Sequence, residues 1–92
     1  MIDPVIEESC KNKISAARLS VRNSWPFIYS AVCRLVPVIS EDCEFDGIPT
    51  IAVDKWWRLY AHPKFIDEIN VQDLALVIAG HEMQHLILEH HA

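Results

Sequence analysis

From Asn70 to the last residue the chain contains no proline, and Leu74, Val77, Ile78, His81, His85 and Leu88 recur at intervals of three and four. That period marks one face of an α-helix. Asn70 is a suitable N-cap, and Gln72 and Asp73 give a polar first turn with an acid near the positive end of the helix dipole. Between Leu74 and Ala79 nearly every position is apolar. A helix that is apolar all round belongs inside a core, so the rest of the chain is expected to wrap around it.

The preceding residues supply the wrapping. Cys10, Ile14, Ala17, Leu19 and Val21 fall mostly three or four apart among Lys11, Lys13, Arg18 and Arg22, which predicts an amphipathic helix over about 8–22. Trp25-Pro26 interrupts it, because proline disfavours helical dihedrals in the residue before it. Pro26 then suits the first turn of a second helix, about 26–35, with Ser24 as its cap. Val36 to Ser40 reads as a short strand with Pro37 at an edge or entry point, and 41–49 as a polar loop holding Gly47. Thr50 to Asp54 and Arg58 to His62 read as two further strands about a turn at 54–56, and 63–69 as a short helix. The expected fold is α+β: N-terminal helices, a short, mostly antiparallel three-stranded sheet, and a long C-terminal helix.

A chain of 92 residues makes one domain, 1–92, and 51% hydrophobic residues with two glycines suit a packed core. The net charge is -5. Along the sequence no window gathers enough Lys and Arg among aromatics to track a phosphate backbone, so direct nucleic-acid binding is not expected. Cys10, Cys33 and Cys43 are odd in number and form no C-x-x-C pair, which fits a reducing cytoplasm. The N-terminus, with Asp3, Glu7 and Glu8, lacks the order of a secretory signal, and the apolar run 74–80 is far short of the roughly 20 residues that cross a bilayer.

The chemistry sits at the end of the last helix. His81-Glu82-Met83-Gln84-His85 sets two imidazoles four residues apart, about 40° from each other and one turn apart on a helix, so that both can bind one zinc ion (Zn2+). Glu82 lies about 100° around from His81, suited to a general base rather than a ligand. A zinc-held water has its pKa lowered to roughly 7 and attacks a carbonyl at neutral pH. The plain alternative is a pair of histidines hydrogen-bonded to neighbours in or beside the core.

The third ligand is less determined. His91 has the spacing of a third histidine, but on an unbroken helix it faces about 120° from His85, and Leu88 replaces the glycine that turns such chains back. His91 and His90 are the candidates if the helix end curls back, with Glu89 below them. A solvated helix end, its histidines near the negative end of the dipole, explains the same residues. His62 at a strand end is a ligand or transition-state donor, or a loop residue. Cys43 is a weaker thiolate candidate. Trp56, Trp57 and Tyr60 read as sheet core, with a substrate groove as the alternative.

With these residues in view, the chain resembles the zincin-like, metallopeptidase-like domain found N-terminal to von Willebrand A-like domains in bacterial and phage proteins. The resemblance rests, in order, on Ala16-Ala17-Arg18-Leu19, Trp25-Pro26-Phe27, Thr50 to Asp54, Leu59-Tyr60, His62-Pro63-Lys64-Phe65, His81 to Leu86 and His90-His91. It implies zinc ligation by His81 and His85, a catalytic carboxylate at Glu82, and a match for one histidine of the closing pair. Family members continue past the closing histidines. The expectation is therefore either the front part of a longer cleft or a small protein that keeps it for another use. Three functions follow: a zinc peptidase acting on a peptide or protein substrate, an inactive module binding a protein partner, or a structural zinc site holding the last helix.

Overall fold

A computed structural model describes the backbone of residues 2–82 and the side chains of residues 2–80. Helix α1, Pro4–Ser24, begins where Asp3 accepts a hydrogen bond from the Val5 N–H at 2.8 Å and Pro4 fills the first turn. Its buried residues, Cys10, Ile14, Ala17 and Val21, form the stripe expected from their spacing, whereas Leu19, two residues from both Ala17 and Val21 and so off that face, is exposed. Helix α2, Pro26–Cys33, follows at once. Ser24 is the last residue of α1 rather than the cap of α2; Trp25 holds the cap position and makes no side-chain cap bond. The Trp25 N–H instead donates to the Val21 carbonyl at 2.7 Å, which closes α1.

The strands are β1 Val36–Ile39, β2 Glu44–Phe45, β3 Ile48–Pro49, β4 Ile51–Val53 and β5 Arg58–Ala61. The loop expected over 41–49 contains the small hairpin β2–β3, turned by Asp46 and Gly47, both at positive φ. Asp-Gly is suited to such a turn because both central residues must be left-handed.

The main sheet runs β1-β5-β4. Strand β4 is antiparallel to β5, as the tight turn between them requires, but β1 is parallel to β5, pairing Val36 with Arg58 through Ile39 with Ala61. The sheet is therefore mixed, which corrects the mostly antiparallel expectation. The long connection from β1 to β5 removes the constraint a hairpin imposes, so direction was open to either choice. Val36 donates its N–H to the carbonyl of Trp57, just before β5, at 2.8 Å, and Ser40 to that of Ala61 at 3.0 Å. By alternation Pro37 turns its nitrogen to the open edge, where a missing N–H costs no ladder bond and discourages further pairing.

Helix α3, Pro63–Glu68, leads to α4, Val71–Leu76. Lys13 on α1 donates from Nζ to the carbonyls of Ile66 at 2.6 Å and Asp67 at 3.3 Å, tying α1 to the C-terminal end of α3. The core lies between the helices and the sheet: Ile14, Val21, Val32, Leu59, Ile66, Leu74 and Ile78 are its largest fully buried residues. After Leu76 the backbone widens to π-helical winding over Val77–Glu82. The expected single α-helical register therefore stops at Leu76. The π turn includes Gly80, the weakest helix former in the segment, and its i→i+5 bonds add a residue to the turn. Among the described residues no helix is long and apolar enough to cross a membrane.

Candidate functional site

The approach to the His81-Glu82 pair is firmly held. Asn70 caps α4 through Oδ1, which accepts from the Asp73 N–H at 2.7 Å, and its Nδ2 donates to the Asp73 carboxylate at 2.9 Å. Leu74, Ala75, Ile78 and Ala79 are all buried, so the helix is seated in the core up to the residue before Gly80. His81 and Glu82 end the π-helical segment. His85, Glu89, His90 and His91 lie outside the described residues.

Among the described residues no three His, Cys, Asp or Glu side chains gather as a metal site. His62 is taken up locally: its Nδ1 accepts the Lys64 N–H at 3.1 Å, making it the N-cap of α3. Cys43 is half-buried in the loop before β2, where its N–H donates to the Ser40 carbonyl and its own carbonyl accepts from Thr50. Cys10 is buried against α3; burial first, then the charge of Asp67, push its thiol up, against the opposing pull of Lys13.

A second constellation surrounds the β4–β5 turn. Asp54 Oδ1 accepts from the backbone N–H groups of Trp56 at 2.9 Å and Arg58 at 3.0 Å, while Oδ2 accepts from Arg58 Nε at 2.8 Å and Tyr60 Oη at 3.0 Å. Partial desolvation pushes the Asp54 carboxyl up, but the donors on Arg58, Tyr60 and Trp56 together outweigh it and hold the group below its ordinary range. Tyr60 moves the other way, raised first by its bond to Asp54.

This network holds Trp57 at φ 65°. A bulky residue in the left-handed region is an outlier costing about 1–2 kcal/mol, so the turn is built rather than incidental. Cations lie over its rings: Arg34 is 4.6 Å from the Trp57 centroid, Lys55 is 4.7 Å from Trp56, and Arg58 is 5.5 Å from Trp56 and 5.7 Å from Tyr60. Trp56 is 65% exposed, so the core assignment does not hold for it; Trp57 and Tyr60 are half-buried. The signal was present in Lys55-Trp56-Trp57-Arg58-Leu59-Tyr60. What the sequence hid was Arg34, which the parallel pairing of β1 brings beside the start of β5.

No family model, curated protein or solved structure matches the chain.

Proposed function

We propose that this chain is a zincin-like, zinc-dependent hydrolase of peptide bonds. The observation that carries the reading is the H-E-x-x-H spacing, His81 to His85, entered from a helix whose preceding turns are locked into the core. Two imidazoles are donors that zinc takes, the neighbouring carboxylate suits the proton transfer, and the burial of Leu74, Ile78 and Ala79 supports a seated helix leading to them. The resemblance to the metallopeptidase-like domain N-terminal to von Willebrand A-like domains supports the same assignment.

In this reading His81 and His85 hold the metal, with His91 or His90 as the third donor. Zinc, when bound, supplies Lewis acidity toward the substrate carbonyl and makes water acidic enough to attack at neutral pH. Glu82 accepts the proton that the attacking water gives up and delivers it to the departing amine nitrogen, so that one carboxylate serves as base and then as acid. The substrate is a peptide or an unfolded protein. Thiols at Cys10 and Cys33 fit a reducing, cytoplasmic setting.

The decisive comparison is Glu82→Ala against wild type, both zinc-loaded, on an unfolded protein substrate. The variant is expected to retain zinc and lose cleavage; equal turnover in the two removes Glu82 from the reaction.

A further inference from the structure

The mixed sheet gives the molecule two chemically opposite ends. Because β1 runs parallel to β5, the residue before β1 and the β4–β5 turn lie at one end, and the residues after β1 lie at the other with the β2–β3 hairpin. The first end carries Arg34, Lys55 and Arg58 together with the carboxylate of Asp54, and Trp56 is exposed beside Lys55 and Arg58. Arg58 is paired with Asp54, whereas Arg34 and Lys55 meet no carboxylate among the described residues and lie over indole rings instead.

The second end carries Glu41, Asp42, Glu44 and Asp46, all exposed and none in an ion pair among the described residues. Between them the hairpin presents Phe45, 74% exposed, directly paired with Ile48, 65% exposed. Lys64 is the nearby cation, sharing a surface cleft with Ile48 and Pro49 at the base of the hairpin. Within one chain the ends cannot meet. The ladder from Thr50 to Asp54 separates them by about 13 Å, at ~3.3 Å per residue, and the hairpin and the turn leave it in opposite directions.

From this juxtaposition we infer that the acidic hairpin of one chain docks on the cationic aromatic turn of a second copy, head to tail. The two surfaces match in sign and in kind: carboxylates flank an exposed apolar pair on one, and Lys55 and Arg58 flank the exposed Trp56 indole on the other, with Arg34 over the adjoining Trp57. Arg34 and Lys55 gain the carboxylates they lack, and Phe45 and Ile48 cover Trp56. A nucleic acid fits the turn less well, since three cations, one of them already paired, offer little to a phosphate backbone on a chain of net charge -5. The contact is heterologous, so wild-type chains add at either end.

The test uses the full chain and two charge-reversed variants, R34E/K55E and E41K/E44K, each checked for native circular dichroism and analysed by sedimentation velocity. Wild type is expected to self-associate with rising concentration. Loss of charge complementarity in E41K/E44K, and like charges opposed in R34E/K55E, are expected to weaken association about a hundredfold in each variant alone. Mixing the variants restores the native contact, the hairpin of R34E/K55E on the turn of E41K/E44K, and also opposes the two reversed surfaces, so the mixture associates at concentrations where each variant alone stays monomeric. A monomeric wild type, or a mixture that stays monomeric, overturns the inference. So does material absorbing at 260 nm that binds wild type and is lost from R34E/K55E, which assigns the turn to nucleic acid. Should either variant misfold, wild type decides alone: association must weaken from ~20 mM to ~0.5 M salt, where the screening length shrinks to a few ångström, and salt-independent association refutes the docking.

Discussion

Replacing Ile78 by alanine tests whether the approach to the proposed metal site is held by the core. Ile78 is fully buried within the π-helical segment, three residues before His81. Removing its outer carbons leaves a cavity among packed neighbours, a change that costs about 2–5 kcal/mol. At about 0.05–0.15 kcal/mol per residue, a 92-residue domain has roughly 5–14 kcal/mol in all, so this one side chain accounts for a large share. At about 4–8 °C per kcal/mol for a domain of this size, Tm falls by roughly 8–40 °C. Urea and thermal unfolding followed by far-ultraviolet circular dichroism measure the loss. Leu76→Ala is the internal control, because Leu76 is 51% exposed, and an exposed substitution of this kind stays within about 0.5 kcal/mol. Equal, small effects from the two variants would refute the argument, since the wide turn would then not be seated in the core.

Three further outcomes follow from the same structure. Asn70→Ala removes the cap of α4 and is expected to cost about 1 kcal/mol, read as a drop in Tm of several degrees; no change would mean that the Asp73 N–H finds another acceptor. Asp54 has a carboxyl held below its ordinary value near 3.8, so its contribution to stability is complete above that value and is lost as pH falls through the folded value. Asp54→Asn is therefore less stable than wild type at neutral pH, with a gap that narrows in urea titrations carried into acid; a gap that stays constant with pH contradicts the hydrogen-bond account. Cys33, exposed on α2, should react with a thiol reagent in the native protein, whereas Cys10, buried with a raised thiol pKa, should react only as fast as the chain unfolds. Equal labelling rates by mass spectrometry would show that α1 and α3 separate readily.

Much of the fold was legible because local patterns and tertiary packing agree. The stripe Cys10-Ile14-Ala17-Val21 is buried as its spacing predicts, Asn70 caps the helix it precedes, and Pro26 and Pro63 open helices. The failures are non-local. Nothing in Val36 to Ile39 encodes direction relative to Arg58 to Ala61, since both directions bury alternate residues equally well. The two-residue strands of the β2–β3 hairpin are too short to show alternation, although Asp46-Gly47 signals the turn. The widening at Val77 was hidden because the three-and-four spacing through Leu74, Val77 and Ile78 suits continuous α-helix, and the one local hint was Gly80. For the candidate site, residue types and spacing named His81, Glu82 and His85. For the cationic turn, by contrast, the sequence held Lys55 to Tyr60 in plain order, but only the pairing of β1 with β5 adds Arg34 and gives the group a single end of the molecule.

Zinc bound per chain, measured by elemental analysis on tag-free protein for wild type and for His81→Ala and His85→Ala, tests the central assignment most directly. One zinc ion per wild-type chain is expected, with its loss from either folded variant. Wild-type protein that remains zinc-free when zinc is supplied, or folded variants that retain the full complement, would contradict it.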